Sequence, residues 1–529
     1  MFTNKVVGVV GSGLSSYACI SRLVLDPSIK IVVLDNDKES ENSQDSIQKK
    51  IKEQANYINR LKIFYDFINK KKINRSHQIN KSYFGSSIFN EEINGENNFK
   101  LYSSNSYGGL SNIWGAVNNT PLKESLDSWP IKYSDLSQYF YKIAKILNVC
   151  SEKDNMSSLL KFDYENEYGF NLSPIANEWY RKIKNRISEI NKDDIFVGRS
   201  QLSLNNDFNK NKFCVECGMC MHGCPHDIIF NSRLKFDDLK RKNKIHYYRN
   251  YKVIEFLENK DKIKVLCKNS TNNNLKNFSF DYVFLAAGCL NSTKIIVNSI
   301  KELNNQDIII KQNDNYIVPF FLKNIRSLPL TFEKNTLSQL SLVIRDKKIE
   351  EHGVYFQTYE FSDIVLFNLF RRLSYNNFFH KIIKNLPLLN KILFAQFWFD
   401  SQDSDNLLMR CSNGLFSLNI EKDKNITTNI LKKIIAKLNK NNNLEVRFLS
   451  FLVKKFQAGG SYHLGSSFQM KKNNDLFSTD MFGRPYNFKK ISVVDSSILP
   501  SLPSNSHTFL TMANCYRITD NLIKKKFLS

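Results

Sequence analysis

The sequence is poor in glycine and proline and lacks long apolar runs. Its 529 residues include 19 glycines and 11 prolines, too few for a collagen-like or proline-rich filament. No uncharged stretch approaches the ~20 residues that cross a bilayer, and residues 1–5 run directly into a β-branched run at 6–10 rather than into a signal peptide. No internal repeat recurs at a fixed period. We therefore expect a cytoplasmic protein, with peripheral contact to the inner face of the membrane left open.

The chain carries a net charge of +24, from 75 Lys and Arg against 51 Asp and Glu. The basic residues are spread along the chain and no nucleic-acid-binding motif accompanies them, so we expect no nucleic-acid partner. An anionic substrate or an anionic membrane surface would explain the charge equally well. A hydrophobic content of 42% in a chain of this length predicts a folded protein with more than one core.

A glycine turn near the start of the chain predicts a dinucleotide site. Residues 11–16 read G-x-G-x-x-S and lie between a predicted strand at 6–10 and a predicted helix at 14–24. Gly11 would allow the tight turn, Gly13 would let the backbone approach a pyrophosphate, and Ser16 would replace the third glycine in helix–strand packing. Asp35 ends a second predicted strand, where a ribose-binding carboxylate is expected. FAD and NAD use the same turn, so the motif does not choose between them.

Further blocks resemble the glucose–methanol–choline (GMC) family of flavin oxidoreductases, particularly its sugar-oxidising and polysaccharide-locus members. In the family's order they are GGLSNIWGA at 108–116, WPIKYSDL at 129–136, FLAAGCLNS at 284–292 and VDSSILP at 494–500. The resemblance implies the α/β class, with a Rossmann-like FAD-binding domain beside an antiparallel-sheet substrate domain. It runs from residue 6 to about 525, but residues 37–80, which we interpret as a polar, helical surface excursion, and residues 310–450 carry little of it.

The resemblance also assigns domains and cofactor contacts. It implies an FAD-binding domain from residues 1–120, 205–300 and 455–529, and a substrate or cap domain from 121–204 and 301–454. Gly11, Gly13 and Asp35 would hold the ADP part of FAD. The implied residues near the flavin are Gly108, Gly109, Ser111, Trp114, Gly288 and Asp495.

Family members oxidise an alcohol: a base takes the hydroxyl proton while the carbon delivers hydride to the flavin. Histidine has a pKa suited to that base. The family's H-x-x-G position falls on Tyr462 here, and His463 follows one residue later. Because a one-residue offset reverses the face of a strand, either the loop is rebuilt or Tyr462 takes part of the role. We predict His463 as the base and Tyr462 as a substrate hydrogen-bonding neighbour.

The family's second catalytic position falls within residues 504–508. Strict alignment places Ser506 there, flanked by the two expected residue types, Asn505 and His507. We predict His507 ahead of Asn505.

Four cysteines have the spacing of a bacterial ferredoxin run, C-x2-C-x2-C-x3-C-P. They are Cys214, Cys217, Cys220 and Cys224. One iron–sulfur cluster would fit this spacing, and two disulfides, a zinc site or free thiols stay open as alternatives. With a cluster, the protein would be a dehydrogenase that passes electrons to an external acceptor. Without one, oxygen or a diffusible acceptor would serve.

Residues 366–397 are basic, aromatic and amphipathic. Such a segment either lies in an anionic bilayer interface or packs its apolar face inward as a helical cap, and we favour the cap.

The sequence thus predicts an FAD-dependent oxidoreductase that oxidises an alcohol group of a sugar or glycoconjugate. Three alternatives remain: an NAD-linked dehydrogenase, a non-catalytic flavin and iron–sulfur electron carrier, and a membrane-surface binding protein that has lost the chemistry.

Overall fold

A computed structural model gives the fold. The residues that it describes are 5–37, 41–70, 87–88, 93–95, 101–159, 171–207, 212–326, 328–363, 366, 376–412, 414–421, 425–505 and 507–525.

A five-stranded sheet, parallel throughout, forms the centre of the molecule. Its strands, in spatial order, are Ile491–Val493, Tyr282–Leu285, Lys5–Val10, Ile29–Leu34 and His246–Tyr248. The inner strands are valine- and isoleucine-rich and largely buried, as expected where helices cover both faces of a parallel sheet. The predicted strand–turn–helix–strand unit is confirmed, with its helix at Leu14–Leu23.

A second, antiparallel sheet forms the other large layer. Its strands, in spatial order, are Val446–Phe448, Asn315–Leu322, Ile392–Trp398, Val354–Glu360, Leu340–Ile344 and Ile195–Arg199, with Lys454–Lys455 also paired to Asn315–Leu322. Buried aromatic and aliphatic side chains on one face pack against the helices Pro174–Lys184 and Ile426–Lys440. This hydrophobic contact forms a second core, separate from that of the parallel sheet.

Smaller sheets complete the β structure. A three-stranded sheet joins Tyr251–Glu258, Ile263–Asn269 and Leu275–Phe280, and a five-stranded sheet joins Leu464–Gly465, Asp307–Gln312, Asn406–Ser412, Leu415–Ile420 and Ile93–Gly95. Two strand pairs are Ser87–Ile88 with Tyr102–Ser103 and Val149–Cys150 with Leu202–Ser203.

The remaining α-helices lie between these strands and at the end of the chain. They are Glu41–Lys52, Tyr57–Lys70, Tyr133–Ile146, Asn155–Leu159, Ile187–Asn191, Ser232–Arg241, Cys289–Ser299, Asn377–Lys384 and His507–Lys524. Within the described ranges, no helix is both long and apolar enough to span a bilayer.

The interpretation of residues 37–80 as a surface excursion is wrong for the part that the structure describes. Two helices form there, but one face of each is buried, including Ile51, Leu61 and Phe64. That face packs against Met219 and Phe332, which lie far away in the sequence. The segment is polar in overall composition, but its apolar residues fall on one face of each helix. The residues that cover this face are distant in the sequence, so the composition alone did not predict its burial.

The predicted fold class, a mixed α/β chain with a parallel sheet and antiparallel sheets, is confirmed. The parallel strands all come from the ranges assigned to the FAD-binding domain. The strands of the large antiparallel sheet come from the cap ranges, except that Lys455 lies at the predicted boundary. The domain boundaries themselves stay a prediction.

Candidate active site

A cleft with a volume of about 530 Å³ lies at the carboxyl edge of the parallel sheet. Its lining includes the glycine turn after strand Lys5–Val10, Asp35 after strand Ile29–Leu34, and residues 286–291 after strand Tyr282–Leu285. Ligands of open α/β sheets bind at this edge because the loops and helix N-termini converge there. The cleft extends to Tyr462 and His507.

The glycine turn is shaped for close backbone approach. Gly11 has φ +99°, and a Cβ there would lie 2.6 Å from the Ala286 carbonyl oxygen. A Cβ on Gly13 would meet nothing within 4 Å, so Gly13 presents open backbone. Gly109 packs on Gly13, where its Cβ would lie 3.3 Å from the Gly13 Cα. The two glycine segments are therefore adjacent.

Asp35 and Ser12 link these segments. The Ser12 hydroxyl donates to the Asp35 carboxylate and accepts from the Gly108 amide at 2.9 Å. The Tyr247 hydroxyl also donates to Asp35, at 2.8 Å. Asp35 thus holds the turn in shape, and its predicted role on a ribose stays a prediction.

Asp495 lies in the lining of the cleft and accepts hydrogen bonds from two neighbouring segments. Its carboxylate accepts from the Gly288 amide at 2.9 Å, the Ser292 hydroxyl at 2.5 Å, and the amide and hydroxyl of Ser497. Burial raises the pKa of Asp495, while these hydrogen bonds oppose that rise. Gly288 has φ +81° and, like Gly13, has no atom near an added Cβ.

Three other predicted residues are placed by their hydrogen bonds. Ser16 is fully buried at the helix–strand contact, as expected of the third glycine position. The Ser111 hydroxyl donates to the Gly108 carbonyl at 2.6 Å. The Trp114 indole lines the cleft and donates to the Phe230 carbonyl at 2.7 Å.

Two histidines meet at the far end of the cleft. The rings of His463 and His507 lie edge to face with centroids 4.5 Å apart. The His463 ring also stacks on the Trp398 indole, with ring centroids 4.1 Å apart. His507 lines the cleft, whereas His463 lies just behind it.

Asn313 fixes the tautomer of His463. The Asn313 amide nitrogen donates to the backbone carbonyls of Phe399, Leu502 and Pro503. Its oxygen therefore faces the His463 Nδ1, 3.1 Å away. Because an amide oxygen only accepts, neutral His463 carries its proton on Nδ1 and has a lone pair on Nε2.

Both imidazoles are held neutral. Burial lowers the pKa of His507 to about 4. Burial, and then the neighbouring His507, hold the pKa of His463 well below its ordinary value. Within the described residues, the buried Nδ1 of His507 has no hydrogen-bond partner. Two neutral imidazoles at neutral pH can accept protons.

The segment before His463 is a turn with a strained residue. Tyr462 has φ +62°, which is unfavourable for a residue with a Cβ, and its ring stacks on Tyr102 at 4.2 Å. Tyr462 lines the cleft while His463 faces His507. The local backbone is thus irregular at the position where the sequence departs from H-x-x-G.

Asn505 is buried outside the lining of the cleft. Its amide donates to the carbonyls of Asn119 and Thr120 at 3.2 and 2.7 Å. Ser506, at the strictly aligned position, lies outside the described residues. Of the two candidates for the second group, His507 is the one at the cleft.

The four predicted cysteines gather in one loop region, where Cys220 is buried and the other three are half-buried. None is in a disulfide. Burial, and then the neighbouring thiol of Cys220, raise the pKa of Cys214 and of Cys217 to about 12. Backbone amides point at two of the sulfurs: Thr336 N lies 3.5 Å from Cys220 Sγ and Ile228 N lies 3.4 Å from Cys224 Sγ.

Sequence reasoning missed several residues that shape the site. They are Asn313, Trp398 and Tyr102, together with the cleft-lining lysines Lys252, Lys268 and Lys294. Asn313 lies 150 positions from His463 in the sequence. No local pattern indicates such a contact.

A glycine turn at the carboxyl edge of a parallel sheet, in a chain that also forms a large antiparallel sheet, is typical of dinucleotide-binding α/β folds. More particularly, the fold is that of the GMC FAD oxidoreductases, as the resemblance implied. The chain is similar to pyridoxine 4-oxidase from Mesorbium loti, with TM-score 0.60, 11% identity, and coverage of 98% of this chain and 99% of that one. It is also similar to a formate oxidase variant from Aspergillus oryzae, with TM-score 0.62, 11% identity and full coverage of both chains. No family model and no curated protein matches the sequence.

Proposed function

We propose that this chain is an FAD-dependent oxidoreductase that oxidises the CH–OH group of a sugar or glycoconjugate. The observation that carries the proposal is the pair of neutral histidines at the end of a dinucleotide cleft, with the His463 tautomer set by Asn313. The two similar structures, both oxidases by name and both with the GMC fold, support this reaction class.

The residues of the cleft fit FAD. Gly13 and Gly288 leave space where side chains would intrude, and Gly109 lies against Gly13. The lysines Lys252, Lys268 and Lys294 give the lining positive charge suited to a pyrophosphate. FAD, when bound, supplies the hydride acceptor, which no side chain can provide.

The histidines would divide the handling of the proton. His463 Nε2 carries the lone pair and would accept the hydroxyl proton, while Asn313 accepts from Nδ1–H and holds the ring. His507 would orient the substrate hydroxyl at the wall of the cleft. Tyr462, stacked on Tyr102, would offer a phenol to a polyhydroxylated substrate. This last role is the basis for placing a sugar here.

The test is a screen of sugars and simple alcohols with FAD-loaded protein and an artificial electron acceptor. We expect substrate-dependent reduction of the acceptor in the wild type and at least a hundredfold loss in His463→Ala. His246→Ala is the matched control because His246 is an exposed histidine on the edge strand of the parallel sheet. Bound FAD without turnover of any alcohol would favour the electron-carrier alternative. NAD binding without FAD binding would refute the proposal.

The cysteine region supports a second part of the proposal, an iron–sulfur cluster at Cys214, Cys217, Cys220 and Cys224. Amides directed at two sulfurs are typical of cluster surroundings. The enzyme would then be a dehydrogenase with an external electron acceptor. Iron and acid-labile sulfide in anaerobically purified wild type, absent from Cys220→Ser but kept in Cys267→Ser, would support it. Wild-type protein with neither iron nor sulfide would refute it.

We also propose peripheral membrane contact for residues 366–397, the alternative to the helical cap that the sequence favoured. Residues 367–375 lie outside the described part, but the helix Asn377–Lys384 buries Ile383 and exposes 73% of Phe378. Leu388, just after the helix, is 61% exposed. Lys381 and Lys384 lie in the last turn of the helix. Apolar side chains flanked by lysine suit an anionic bilayer interface.

The test for membrane contact is co-sedimentation with phosphatidylglycerol-containing vesicles. The double variant Phe378→Ser, Leu388→Ser should bind less than the wild type. Leu275→Ser, which removes an equally exposed leucine elsewhere, should bind as the wild type does. Equal sedimentation of all three proteins would contradict the membrane role.

A further inference from the structure

Three carboxylates and a histidine converge behind the active site. One potential ligand atom from each of Glu350, His352 and Asp403 lies within 4.8 Å of the others. Asp400 interacts electrostatically with this group. The residues lie on two loops: one precedes strand Val354–Glu360 and the other follows strand Ile392–Trp398. These strands pair through Tyr355 and Trp398, which brings both loops to one edge of the antiparallel sheet.

The carboxylates carry buried oxygens that nothing in the described structure satisfies. Glu350 is 8% exposed and Asp400 is 1% exposed. Glu350 Oε2, Asp400 Oδ2 and Asp403 Oδ2 are buried without hydrogen-bond partners within the described ranges. Glu350 Oε1 accepts from the His352 amide at 2.5 Å, Asp400 Oδ1 accepts from the Gln402 amide at 2.9 Å, and the carboxyl groups of Glu350 and Asp403 also contact each other. Buried polar atoms of this kind need a partner, which an ion, a water molecule or a shared proton can supply.

The charge of the group points to a cation. Asp400 and Asp403 both act electrostatically on Glu350, and Asp403 acts on Asp400, so these carboxyl groups disfavour one another's negative charge. Lys311 interacts with Asp400, but its ammonium group donates to the Pro500 carbonyl at 3.0 Å. Buried carboxylates facing one another are unfavourable unless a proton or a metal ion lies between them.

We propose that Glu350, His352 and Asp403, with Asp400 beside them, bind one divalent cation of the Mn²⁺ or Zn²⁺ type. An imidazole among carboxylates favours these ions over Ca²⁺, which prefers oxygen ligands alone. Two ligands at about 2.1 Å from one ion lie at most about 4.2 Å apart. The recorded separation of up to 4.8 Å therefore requires a small inward movement of the side chains.

The site would hold the loops that support the histidine pair. Ser401 and Leu502 exchange two hydrogen bonds, and the Ser504 hydroxyl donates to the Gly353 carbonyl at 2.7 Å. These bonds connect both loops to the segment just before His507. Trp398, two residues before Asp400, stacks on His463. The cation would thus have a structural role and would touch no reacting atom.

The test is a titration of chelator-treated, FAD-loaded protein with Mn²⁺. Binding is monitored as the decrease of the electron paramagnetic resonance signal of free Mn²⁺. The wild type should take up one equivalent that Zn²⁺ displaces, and its melting temperature should rise by about 2 °C or more when the site is saturated. Glu350→Gln and Asp403→Asn should each weaken binding at least tenfold. Glu351→Gln, which changes the exposed neighbour, should bind as the wild type does.

Two results would overturn the proposal. In one, neither ion binds the wild type or raises its melting temperature, and Glu350→Gln is as stable as the wild type or more so. The carboxyl groups then share a proton instead. In the other, all variants bind Mn²⁺ equally, so that the ion lies elsewhere, for example on the FAD phosphates. The wild-type titration decides the matter even if a variant fails to fold.

Discussion

The tautomer of His463 depends on one asparagine, and Asn313→Ala tests that dependence. The change removes the acceptor of the His463 Nδ1 proton. A buried donor without its acceptor costs about 1–3 kcal/mol. His463 therefore shifts towards the other tautomer, in which Nε2 carries the proton and cannot act as the base. At 1.36 kcal/mol per tenfold change, we expect kcat to fall about 5- to 150-fold.

The assay is steady-state turnover with an artificial electron acceptor, together with nitrogen NMR of histidine-labelled protein to identify the tautomer. KM should change little, because Asn313 is not in the lining of the cleft. Asn313→Asp keeps an oxygen acceptor and should recover part of the lost kcat. Its carboxylate should also raise the pKa of His463 and move the acid limb of the pH–rate profile upward.

The matched control is Asn315→Ala, which removes another buried asparagine two residues away that contacts Gln396 and not His463. It is needed because Asn313 also binds three backbone carbonyls, so its loss could disturb the loops themselves. An equal fall of kcat in the control, or a kcat within twofold of wild type in Asn313→Ala, would refute the reasoning.

Three further predictions concern the cofactor site and the buried groups. Gly13→Ala should weaken FAD binding at least tenfold in a fluorescence titration, because the new Cβ would lie in the open cleft. The melting temperature of the apoprotein should not change, and a destabilised apoprotein would contradict this prediction. In the apoprotein, the unfolded chain protonates His507 near its ordinary pKa of 6.5, whereas the folded chain protonates it only near 4. The free energy of unfolding should thus fall by about 2 kcal/mol from this residue between pH 7 and pH 4.5, and His507→Gln should remove that part of the pH dependence in denaturant titrations at these two pH values. Asp495→Ala should lower the free energy of unfolding by about 2–3 kcal/mol in urea titrations at pH 7, because it removes the acceptor of four hydrogen bonds; an unchanged urea midpoint would contradict this.

The features that the sequence predicted well are local ones. The β-branched runs, the glycine turn and the strand ending near Asp35 are each encoded within about thirty residues, where periodicity and turn chemistry apply. The GMC blocks at 108–116, 284–292 and 494–500 extended this, because each contributes residues to the lining of the cleft, whereas the block at 129–136 does not. His507 lies in the lining of the cleft; the sequence had ranked it ahead of Asn505, although strict alignment placed Ser506 at the catalytic position.

The features that the sequence could not predict depend on contacts between distant segments. The polar helices at 41–70 bury one face only because Met219 and Phe332 meet them. Trp398 and Asn313 reach His463 from two different segments of the cap range. The cation-binding group unites loops at 350–352 and 400–403, and its spacing matches no metal-binding motif in the sequence. The Trp398 contact and the cation-binding group both adjoin the large antiparallel sheet, a region that carries little of the family resemblance.

The electrostatics of the cleft differ between its two ends, and the difference matches the proposed chemistry. Lysines line the cleft where an anionic cofactor would lie, whereas burial alone sets the pKa of His507, with no carboxylate raising it. A carboxylate beside the histidines would favour imidazolium and remove the proton acceptor at neutral pH. Asn313 instead orients His463 through a neutral hydrogen-bond acceptor, so it adds no charge beside the imidazole.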